Sequence, residues 1–146
     1  MVVVGTWLAC EDGEQRPMIR IEVESASGTL IQADFLVDLG ADRSVFDAAT
    51  LNQLQLRHQP PPPGFELQGV GGSSPFVVIS TVLHLLQDDG GIAKVRGQFG
   101  AFTDASAIDF PILGRDVLNH FDVIVSRRRN QVLLLAGNHN YVITTS

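Results

Sequence analysis

The sequence predicts an all-β chain folded as one domain, 1–146, with one or two short helices, on three observations. Apolar residues alternate or run briefly before meeting Gly, Pro, Asp or Asn, the pattern of many short strands. The two longest such runs, 76–86 and 92–102, flank Asp88-Asp89-Gly90-Gly91, residues that tolerate positive φ and so close a hairpin. Helical spacing is confined to two short stretches, 47–56 and 115–121.

Taken in order, the opening Met1-Val2-Val3-Val4-Gly5-Thr6-Trp7-Leu8-Ala9-Cys10 is apolar but lacks a basic n-region and is too short for a membrane span, so it reads as a strand. Strands are expected at 18–24 and 30–37. The first helix carries Leu51, Leu54 and Leu56. Pro60-Pro61-Pro62-Pro63-Gly64 cannot donate to a ladder and favours an extended connector. A rigid spacer is favoured there over a ligand for a proline-recognition module, because the segment lies between a helix and the next strand. Beyond the long hairpin come a strand at 107–113, the second helix with Val117, Leu118 and Phe121 on its apolar side, and strands at 123–125, 132–135 and 141–144. Arg127-Arg128-Arg129 separates two of these runs and reads as a polar hairpin turn ahead of a basic docking patch.

Composition bounds the function. A length of 146 residues buries most of the surface of the unfolded chain without staples, and 45% hydrophobic against 18% charged content describes a globular protein with a large core or an interface. A net charge of -6 provides no basic face for nucleic acid. Cys10 is the only cysteine, which excludes an internal disulfide and cysteine-rich zinc sites and fits a reducing compartment. No run reaches membrane length, so the expected location is the cytoplasm, or a soluble domain of a larger protein.

Chemistry concentrates at Asp38, in Phe35-Leu36-Val37-Asp38-Leu39-Gly40-Ala41-Asp42-Arg43-Ser44. This carboxylate ends an apolar strand and enters a turn where Gly40 and Ala41 let backbone approach a ligand closely. Two further segments follow: Leu67-Gln68-Gly69-Val70-Gly71-Gly72-Ser73-Ser74, a glycine-rich tip, and Phe110-Pro111-Ile112-Leu113-Gly114-Arg115-Asp116. The glycine-rich tip fails as a phosphate cradle, since it lacks the Lys-Ser/Thr of a P-loop and opens a strand. A metal site built on Asp38, Asp42 or Asp88-Asp89 is unsupported by ligand spacing, and His58, His84, His120 and His139 form no paired motif. No metal and no cofactor are expected.

In this order and spacing the three segments resemble the retropepsins, single-domain aspartic peptidases typified by retroviral proteases. The resemblance covers roughly Met18 to Phe121. It implies a closed β-barrel-like fold, a homodimer about a twofold axis, and a peptide or protein substrate held in a cleft between the copies. The chain has one Asp-x-Gly-Ala loop, so a catalytic pair takes Asp38 from each of two chains. Like charges so close cannot both ionise, and the pair shares one proton. The ionised member then takes a proton from water while the protonated one hydrogen-bonds the scissile carbonyl. Carried over by residue, Asp38 is catalytic; Gly40, Ala41 and Asp42 meet the substrate backbone; Val70, Gly71 and Gly72 close over it from a flap. Arg115 pairs with Asp42 to hold the loop against the second helix.

Leu39 departs from the pattern. The family has Thr or Ser there, whose hydroxyl bonds backbone across the twofold axis, and leucine has no hydroxyl. Losing such a bond costs about 0.5–1.5 kcal/mol, counted twice by symmetry. Two functions follow: an aspartic endopeptidase with a weakened dimer centre, or a catalytically weak or inactive dimeric peptide-binding or assembly module that keeps the cleft.

Overall fold

The computed structural model describes residues 1–67 and 74–137. The strand expected at 141–144, like Val70, Gly71 and Gly72, lies outside the described residues. The strands are β1 (Val2–Ala9), β2 (Gln15–Glu24), β3 (Leu30–Val37), β4 (Val45–Phe46), β5 (His58–Gln59), β6 (Phe76–Leu86), β7 (Ile92–Phe102), β8 (Ile112–Leu113), β9 (Asp122–Ser126) and β10 (Gln131–Leu135). Two short helices, α1 (Ala48–Leu54) and α2 (Arg115–Leu118), complete the all-β fold.

The sheet runs β5-β6-β7-β4-β8-β3-β2-β1-β10-β9, and a second pairing of β6 with β2 closes six of these strands into a ring. Inside the ring sit Ile19, Ile21, Phe35, Phe46, Leu54, Ile79, Leu83 and Leu113, all fully buried. Phe46 stands at its centre, meeting Phe35 and Phe99 edge to face at 5.5 and 6.1 Å, a geometry that adds to the burial of their rings. A second apolar cluster of Ala41, Val45, Phe102 and Ile112 lies under the Asp38 loop. No helix of the described residues is long and apolar enough to cross a membrane.

The long hairpin pairs β6 with β7 along all 11 residues of each strand. Its turn is closed by Gln87 N–H donating to the Gly91 carbonyl at 2.8 Å. Arg127-Arg128-Arg129 forms the turn between β9 and β10, and the Arg127 guanidinium lies over the Trp7 ring at 5.5 Å.

Three expectations change. The strand expected at 107–113 shrinks to Ile112–Leu113. Asp104 is the reason: its carboxylate accepts from Ser106 N and Oγ and its carbonyl from Ala107 N, which bends the chain, and Pro111 carries no N–H for a ladder. The first helix stops at Leu54 because Gln55 turns left-handed at φ 55. The second ends at Leu118, where single-turn bonds from His120 to Val117 and Phe121 to Leu118 replace the helical pattern. Strands β4 and β5 are two residues each, too short to leave a periodic signal.

Candidate active site

β3 delivers Asp38. Its last residues pair in parallel with β8, Leu36 opposite Ile112 and Val37 opposite Leu113, and Asp38 N–H extends the register by donating to the Leu113 carbonyl at 3.1 Å. The chain then turns at once. Ala41 N–H donates to the Asp38 carbonyl at 3.2 Å, and Gly40 N–H donates to Asp38 Oδ1 at 2.9 Å. One carboxylate oxygen is thereby fixed by the loop, while Oδ2 makes no hydrogen bond among the described residues. Asp38 itself is half-buried, at the boundary between core and solvent.

The residues around it divide by exposure. Ala41 is fully buried in the second apolar cluster, its N–H bonded to Asp38 and its carbonyl accepting from Arg115 N–H at 2.9 Å. Gly40 and Asp42 face solvent. Leu39 is 53% exposed, a large apolar side chain standing free beside a carboxylate in the single chain.

Helix α2 closes the loop from behind through two adjacent residues. Arg115 Nη2 pairs with Asp42 Oδ1, and Nη1 donates to the Leu39 carbonyl at 2.8 Å. The resemblance stated above implies this pair. Asp116 makes a contact that the sequence does not reveal: its carboxylate accepts from Ser44 N–H at 2.9 Å and from Ser44 Oγ at 2.7 Å. Ser44 Oγ in turn accepts from Gly114 N–H at 2.9 Å. The backbones pack so tightly there that a Cβ on Gly114 would stand 2.6 Å from the carbonyl carbon of Arg43 and 2.9 Å from the Ala41 oxygen, so only glycine fits.

Beside the loop, Asp42, Arg43, Gly64, Glu66 and Asp116 line a polar groove of about 420 Å³, with the Arg43 guanidinium stacked 4.0 Å over the Phe65 ring. Asp38 is not among its lining residues. Asp38 thus sits half-buried outside this groove, with exposed Leu39 next to it.

A model of the retroviral aspartyl protease family matches residues 13–126. The chain belongs to that family. The match takes in the Asp38 loop, the glycine-rich tip and α2 together. Among solved structures, the EIAV protease, determined with the inhibitor HBY-793, is 24% identical over 75% of this chain and 91% of its own, with a TM-score of 0.52. A retropepsin-like aspartic protease from Rickettsia conorii is 16% identical over 92% of this chain and 90% of its own, with a TM-score of 0.54. Both share the retropepsin-like fold with this retroviral-type chain. No curated protein matches it in sequence.

Proposed function

We propose that the chain is an aspartic endopeptidase that hydrolyses peptide bonds with water activated between two Asp38 carboxylates, one from each chain of a homodimer. The observation that carries this reading is the setting of Asp38: half-buried, oriented through Oδ1 by Gly40 N–H, and left with Oδ2 free among the described residues. The ionised member of the pair takes a proton from water as its oxygen attacks the scissile carbonyl carbon. The protonated member hydrogen-bonds the carbonyl oxygen as charge develops there. Collapse of the tetrahedral species breaks the C–N bond, with a proton passed to the leaving amine. Gly40 and Asp42 offer polar backbone to the substrate, Ala41 forms the floor beneath it, and Val70, Gly71 and Gly72 cover it. Digestion of an unfolded protein from mildly acidic to neutral pH tests the reading: native chain cleaves and Asp38→Asn does not. Equal, negligible cleavage by both sinks it.

The alternative, a weakly active or inactive dimeric peptide-binding or assembly module, rests on Leu39. Its exposed side chain lacks the hydroxyl that the family uses across the axis. Two apposed leucines offset part of that loss by burying apolar area. Sedimentation of native protein against Leu39→Thr separates the effects. The variant dimer is expected to be about tenfold tighter, the equivalent of about 1.4 kcal/mol regained from two hydrogen bonds.

A further inference from the structure

We propose that the outer edge of β7, from Ile92 to Gln98, is a docking site for an extended acidic segment of a partner protein, which joins the sheet there as an added strand. On one side β7 pairs with β6 along its whole length. On the other, Gly100 and Ala101 pair with β4, and among the described residues no strand meets Ile92 to Gln98. Such an edge presents unpaired N–H and C=O groups that a second chain can complete. The side chains along it separate into two faces. Ala93 and Val95 stand opposite Leu85 and Leu83, both fully buried, and pack against the core as Phe121 does. Lys94 and Arg96 are exposed on the other face, and among the described residues neither side chain makes an ion pair or hydrogen bond.

A groove of about 410 Å³ lies at this edge, lined by Ala93, Lys94, Val95, Arg96, His120 and Phe121. The chain carries a net charge of -6, yet no acidic residue lines this groove. An added strand alternates its side chains in step with β7. Residues opposite Lys94 and Arg96 come within about 5 Å of them, Cβ to Cβ, so Asp or Glu there is matched in charge. Residues opposite Ala93 and Val95 turn to the other face, toward Phe121, so apolar ones are matched there. The surface therefore fits a segment in which acidic and apolar residues alternate. Basic side chains also guard an edge against pairing, but a guard alone needs no groove with an aromatic wall. Docking here uses neither Asp38 nor its loop and is independent of the peptidase reading.

Calorimetric titration of the full chain with an end-blocked peptide of alternating glutamate and valine tests this, with hydrogen exchange to locate the peptide. Saturable binding is expected, with protection gained at 92–98 and none at 38–42. Lys94→Glu with Arg96→Glu should weaken binding at least about tenfold. Arg128→Glu with Arg129→Glu changes the net charge equally at the exposed turn between β9 and β10, and should weaken it less than about threefold. Both pairs are exposed, so each double variant should keep the native melting temperature. The same peptide with lysine for glutamate, or with every backbone nitrogen methylated so that it cannot enter a ladder, should not bind. No saturable binding of the acidic peptide, binding of either control peptide, an equal loss in the two double variants, or protection at 38–42 alone overturns the proposal.

Discussion

Arg115 and Asp116 are neighbours on α2 and both brace the Asp38 loop, yet their contacts differ in kind. The Arg115–Asp42 pair lies at the surface, its side chains 41% and 48% exposed, where solvent screens the attraction. Asp116 turns inward to Ser44, which is fully buried, and joins Gly114 and Val117 in a continuous set of hydrogen bonds. The visible ion pair is the weaker brace. What holds the loop is a carboxylate–hydroxyl network in which each lost partner strands another polar group away from water.

The largest effect is therefore expected at Asp116. Asp116→Ala leaves the Ser44 N–H and hydroxyl without their acceptor and should cost about 2–4 kcal/mol in denaturant unfolding, while Ser44→Ala, which strands Gly114 N–H, should cost about 1–3 kcal/mol. Arg115→Ala and Asp42→Ala should each cost less, with a coupling in a double-mutant cycle under about 1 kcal/mol. Equal couplings for the two pairs would break the comparison.

The inward brace was also the less legible one. Ser44 and Asp116 are 72 positions apart, and an Asp in the first turn of a helix has an ordinary local explanation. Asp38 was legible in its own contiguous motif, whereas the Arg115–Asp42 pair, 73 positions apart, came only with the family resemblance. The same division runs through the fold. Strands 30–37, 76–86 and 92–102 match the sequence reading because each is paired along its length and carries its own pattern. The 107–113 run looks equally apolar, but a side chain–backbone turn at Asp104 competes with the ladder and wins. The two-residue strands β4 and β5 exist through their tertiary partners alone.

The smallest effect extends the comparison to a second surface pair, one that does not touch the Asp38 loop. The Arg16 guanidinium, hydrogen-bonded to Asp12, holds that carboxyl down at about 2 from an ordinary 3.8, helped by Glu14 N–H. Because the folded value is the lower one, any stability it adds is present above about pH 4 and is lost as pH falls through about 2. Asp12→Asn should thus trail the native protein slightly near pH 5, with the gap closing at pH 2. A gap independent of pH would contradict this.

The central claim is that one catalytic centre takes Asp38 from two chains, and chain mixing measures it most directly. Native protein and Asp38→Asn are unfolded together in equal amounts, refolded, and assayed for peptide cleavage at the total concentration of an all-native control. If both carboxylates are required, random pairing leaves about one quarter of the dimers intact and about one quarter of the activity. Retention of about one half, the result of simple dilution, would place the whole centre within a single chain and contradict the claim.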